Sequence, residues 1–130
     1  MRRQAREVAL QILFQKEFTP QIDIDAFLTL LEQSIDKSSL KYAESLVEGI
    51  KLNSKEIDQK IQSYTKNWTL ERMSSVDKNI LRIAAFEMIF SSEKIQPQIA
   101  INEAVEIAKK FGSTDSGAFV NGVLDRLSQD

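Results

Sequence analysis

The chain has 130 residues, 42% hydrophobic and 28% charged, with a formal net charge of −2. It contains no cysteine and no histidine, which removes disulfides, thiolate chemistry and the commonest general base and metal ligand. The length suits one domain, residues 1–130, able to bury a substantial core, and four glycines and two prolines leave little material for a linker.

Apolar residues recur at helical spacing almost throughout. Ala5, Val8, Ala9, Ile12 and Leu13 predict a first helix from about Arg3 to Glu17, ended by Thr19-Pro20 because proline cannot continue the backbone ladder. Ile24, Phe27, Leu28, Leu31 and Ile35 predict a second helix with Asp23 as its cap. Leu40, Ala43, Leu46, Val47 and Ile50 form the stripe of a third, following Ser38-Ser39. Asn53 and Glu56 have the spacing of a capping box, so a fourth helix opens at Ser54 and carries Ile57, Ile61 and Tyr64. Trp68 lies in the next connector, where its ring is expected to roof the core. The fifth helix, capped by Ser74 or Ser75, is apolar nearly all round from Val76 to Phe90 and belongs at the centre. Pro97 suits the first turn of a sixth helix and Gly112 its end. A seventh opens near Thr114 to Ser116 and runs through Leu127. No stretch alternates as a strand would, so the expected class is all-α with about seven helices and short connectors.

The most apolar window, Ile80 to Phe90, is interrupted by Arg82 and Glu87 and is far shorter than the ~20 residues of a membrane span. The basic amino terminus is followed by polar residues rather than the apolar stretch of a signal peptide. No membrane contact is expected, and the cytoplasm is the expected compartment. There is no phosphate-cradling GxxxxGK, no GxGxxG and no Asp-rich calcium loop. Glu103 and Glu106 lie three apart on a helix, the usual pattern of solvated acids rather than of acid–base catalysis. The reading is a non-catalytic protein with no cofactor and no metal.

Charge supplies the positive signal. Residues 1–16 carry Arg2, Arg3, Arg6 and Lys16 against Glu7 alone, leaving 13 basic and 18 acidic side chains to the other 114 residues. A basic tip on an acidic globule suggests a local anion contact, with nucleic acid the first candidate; the bland alternative is a helix start made soluble by arginines. Arg2 and Arg6 share a helix face with Arg3 beside them, against the first-turn dipole, at a small local cost that a bound polyanion would reverse. A second signal is Lys109-Lys110-Phe111-Gly112-Ser113-Thr114-Asp115-Ser116-Gly117-Ala118-Phe119-Val120-Asn121, in which lysines end one helix and a polar loop opens the next. Phe119 could stack on an unpaired base; core packing with Val123 and Leu127 is the competing reading.

Three stretches carry a family resemblance: Arg2 to Glu7 followed by Ala9-Leu10-Gln11, Val76 to Ala84, and Ala100 to Gly112 with Phe119 to Asp125. In this order they resemble the NusB family of bacterial transcription antitermination factors across essentially the whole chain. The resemblance implies an all-helical fold of two small bundles packed across each other. It implies binding to boxA, a single-stranded element of nascent ribosomal RNA transcripts, together with NusE, a small-subunit ribosomal protein. It also implies assembly with other Nus factors on RNA polymerase, and a role in ribosome assembly. By the same resemblance Arg2, Arg3, Arg6, Phe14, Lys110, Asp115, Phe119 and Asn121 are expected at RNA. Asp77, with the start of the fifth helix and adjoining loops, is expected to face NusE. Gln4 stands where relatives carry another arginine, Phe14 where they often carry tyrosine, and Gly117-Ala118 where they carry a more polar pair. Monomer and homodimer both stay open. Two alternatives remain: a helical protein-interaction module without its own RNA contact, and an RNA-binding accessory domain of an RNA-modifying system.

Overall fold

The computed structural model describes residues 2–32, 34–65 and 68–129. Seven α-helices follow one another: α1 Arg2–Phe18, α2 Ile24–Leu31, α3 Lys37–Leu52, α4 Ser54–Gln62, α5 Ser75–Ala85, α6 Pro97–Phe111 and α7 Ser116–Ser128. A 3-10 turn, Leu70–Arg72, leads into α5, and a π-helical turn, Phe86–Phe90, continues it. The described residues contain no strand, and the all-helical expectation holds.

Local chemistry explains most boundaries. Asp23 caps α2 by accepting from the Ala26 N–H at 3.1 Å, and Ser74 caps α5 by accepting from the Asp77 N–H at 3.1 Å. Asp36 caps α3, accepting from the Ser39 N–H, so that helix begins ahead of the serine pair the sequence suggested. The Asn53 capping box does not form. Its side-chain amide turns back and donates to the Gly49 carbonyl at 2.8 Å, closing α3 instead of opening α4.

α1 packs on α3 and α5, while α6 packs on α7 and α5. α1 to α3 form one group and α4 to α7 the other, with α5 between them. α5 touches α1, α3, α4, α6 and α7, which is why its residues Ile80, Leu81, Ile83, Ala84 and Ala85 are all buried. One continuous cluster of apolar side chains joins both groups. Trp68 departs from expectation. It is 52% exposed and lies at the surface, lining a groove with Arg72, Asp77 and Phe119.

The π turn widens the end of α5. The Ser91 N–H reaches back five residues to the Phe86 carbonyl at 2.9 Å, and the returning Ile95 N–H donates to the Glu87 carbonyl at 2.9 Å. Phe86 packs where α3 presents Gly49; a Cβ on that glycine would meet the ring at 2.2 Å.

Candidate nucleic-acid interface

Arg6 sits on the inner side of α1, next to the buried Ala5 and Ala9, and its side chain is 5% exposed. Its Nε donates to both oxygens of Glu87, at 2.8 and 3.0 Å, and its Nη1 donates to Glu103 at 3.2 Å. Glu87 enters from the π turn and is 1% exposed, and the Tyr42 hydroxyl of α3 also donates to it. A carboxylate at that depth requires a cation. Burial opposes the Arg6 charge, but the hydrogen bond and charge of Glu87 outweigh it and raise the guanidinium pKa. Burial, reinforced by the bond to Glu87, pushes the Tyr42 phenol up to about 12, so it remains a donor. The Arg6 side chain, expected to face RNA, is thus, in this structure, an internal ion-pair residue turned away from solvent.

Its neighbours behave differently. Arg3 lies half-exposed, its Nε and Nη2 donating to Glu103 of α6 at 3.1 and 2.6 Å. The hydrogen bonds from Arg3 hold the Glu103 carboxyl below its ordinary value despite partial burial. Glu103 is thus an arginine partner, not the free solvated acid its spacing suggested. Arg2 is exposed, makes no ion pair among the described residues, and lies 4.3 Å over the Tyr42 ring. Further along, Lys110 is exposed and donates to Glu7 at 3.1 Å. Two side-chain pairs therefore link α1 to α6, Arg3 with Glu103 and Glu7 with Lys110. Phe14, 39% exposed and tilted against Phe18 at 4.9 Å, shares a groove with Leu10, Phe27, Val76 and Phe111.

A second groove lies where the loop before α7 meets the start of α5. Phe119 and Trp68 contribute rings, Arg72 a cation, and Asp77, Asp115 and Ser113 polar groups. Phe119 is half-buried, packed against the core on one side, and lines the groove. Asp77 Oδ1 is buried without a hydrogen-bond partner, a costly condition unless a donor arrives from outside. Asn121 is exposed on α7 but is not part of this groove, since two helical positions differ by about 200° around the axis.

Sequence reading missed Tyr42, Trp68 and Arg72 at these surfaces and Glu87 beneath them. Glu87 left a signal: it is an acid inside an otherwise apolar window, which demands a partner.

These features define a small, wholly helical binding protein with cations and aromatic rings at its surface. Among the described residues no group of acids, histidines or cysteines could hold a metal, and no helix is long and apolar enough to cross a membrane. The NusB family profile matches residues 3–129, and the chain belongs to that family. It is 56% identical over 128 residues to the transcription antitermination protein NusB of Bdellovibrio bacteriovorus, covering 98% of this chain and 95% of the relative. Against the NusB of Desulfitobacterium hafniense the identity is 41% over 129 residues, covering 97% and 86%. The solved structure of T. maritima NusB superposes with a TM-score of 0.89 at 40% identity, covering all of this chain and 92% of that one. A crystal structure of the antitermination factors NusB and NusE in complex with dsRNA gives 0.82 at 28% identity, covering 98% and 96%.

Proposed function

We propose that the protein is a non-catalytic, cytoplasmic transcription antitermination factor. It binds a boxA-type single-stranded element of nascent ribosomal RNA together with NusE, a small-subunit ribosomal protein, and with other Nus factors helps assemble the antitermination complex on RNA polymerase. One observation carries the RNA part: Arg3 of α1 and Lys110 of α6 lie between the two helices, held by the Arg3–Glu103 and Lys110–Glu7 pairs, and Arg2 stands exposed at the start of α1. Both pairs reach solvent, so RNA phosphates can compete for the cations at modest cost. Phe14 and Phe119 supply exposed ring faces beyond them. The solved complex of NusB and NusE with dsRNA supports RNA binding alongside NusE. For the protein partner, the unpartnered Asp77 oxygen between Trp68 and Phe119 supports a docking point that receives a donor from NusE.

The test is fluorescence anisotropy with a boxA oligomer, with and without NusE, against a scrambled control. Replacing Arg2 and Arg3 by alanine is expected to weaken boxA binding and flatten its salt dependence. Unchanged binding by that variant removes the RNA surface and leaves an interaction module that reaches RNA only through NusE.

A further inference from the structure

A third groove lies on the other side of the arginine-bearing helix start, between α1 and α3. Arg2, Lys41, Tyr42, Ser38, Ser39 and Ser45 line it, with the Asp36 carboxylate at its edge bonded to two of the serines. Lys41, like Arg2, is exposed and makes no ion pair among the described residues. The Tyr42 ring that carries Arg2 is fixed from below by the bond of its hydroxyl to the buried Glu87. The hydroxyl protons of the groove are already committed. Ser38 and Ser39 donate to Asp36, and Ser45 donates to the Tyr42 carbonyl at 2.7 Å. The serine oxygens consequently offer lone pairs rather than protons.

Two free cations suit phosphates. Hydroxyl oxygens that can only accept suit a donor beside those phosphates, and the ribose 2′-hydroxyl is such a donor. We propose that the α1–α3 groove is a second, sequence-independent RNA backbone site. It extends the footprint past Arg2 and favours ribose over deoxyribose. The proposal rests on the RNA reading given above and adds a binding surface to it.

Anisotropy with the full chain tests it, using a boxA core oligomer and the same core extended by a short uridine run at either end. One of the two extensions is expected to tighten binding roughly three- to tenfold at about 0.1 M salt and to steepen the log–log salt slope by about 1.4, for two phosphates. Lys41→Glu, an exposed change outside the core-binding surface, is expected to abolish that gain and leave the core oligomer unaffected. A deoxyuridine extension is expected to recover less of the gain than the ribose one. If neither extension tightens binding, or Lys41→Glu weakens core and extended oligomers equally, the groove is not an RNA site. Equal gains from ribose and deoxyribose remove the sugar preference. A core oligomer that fails to bind at all, with or without NusE, overturns the RNA reading itself.

Discussion

Glu87→Ala isolates the ion pair inside the molecule. Arg6 is 5% exposed at its side chain and Glu87 1%. The substitution strips Arg6 of two hydrogen bonds and the Tyr42 hydroxyl of its acceptor, while Glu103 stays at 3.2 Å as a partial substitute. Breaking a buried pair from one side costs about 3–5 kcal/mol, and the remaining Glu103 contact places this case near 3. An unfolding entropy of about 2.1 cal/mol/K per residue converts that range into a Tm loss of roughly 10–18 °C for a chain of this length. Thermal melts followed by circular dichroism measure it. The control is the paired change Arg6→Met with Glu87→Leu, expected to fall within about 2 kcal/mol of wild type because no charge is left stranded. A Glu87→Ala protein that melts within about 3 °C of wild type, roughly 1 kcal/mol, refutes the claim that the guanidinium depends on an internal partner.

Three further outcomes are expected. Phe119→Ala should cost about 1–3 kcal/mol of boxA affinity, roughly 5- to 150-fold, with a smaller loss of stability because the ring is only half-buried; an affinity loss below twofold would show that the ring packs without stacking. Glu103→Gln should remove part of the acid sensitivity. The folded Glu103 pKa lies below 4.5, chiefly through the hydrogen bonds from Arg3, so its stabilisation is complete above 4.5 and disappears as pH falls through the folded value. The stability difference between wild type and variant should therefore shrink on acidification below 4.5 in denaturant titrations, and a constant difference contradicts the assignment. Gly49→Ala should destabilise by about 1–3 kcal/mol, since its Cβ would sit 2.2 Å from the Phe86 ring. Melting unchanged by that substitution means the ring moves aside freely.

Periodicity makes the helices legible because each needs only local information: a stripe, a cap, a proline or a glycine. Asp23, Ser74 and Pro97 act where their chemistry suggests. Asn53 does not, because its amide has a competing acceptor one turn back that spacing alone cannot rank. The site was harder to read. Three arginines in five residues look alike in sequence, yet α1 turns them to different environments: Arg2 over a ring, Arg3 to a rim carboxylate, Arg6 into the interior. Which arginine goes where depends on acids placed by distant helices. Trp68 illustrates the same limit, since nothing in its local sequence places the ring in a surface groove rather than in the core.

The Arg6–Glu87 bond spans 81 positions of the chain. Translation at about 5–20 residues per second separates the emergence of its two ends from the ribosome by roughly 4–16 s. The first helix is thus synthesised well before the two acids that anchor it, and during that interval neither native partner of its guanidinium exists. Closure of the ion pair reports that the fifth helix and its π turn have arrived, so a nascent chain stalled earlier carries an arginine still facing water.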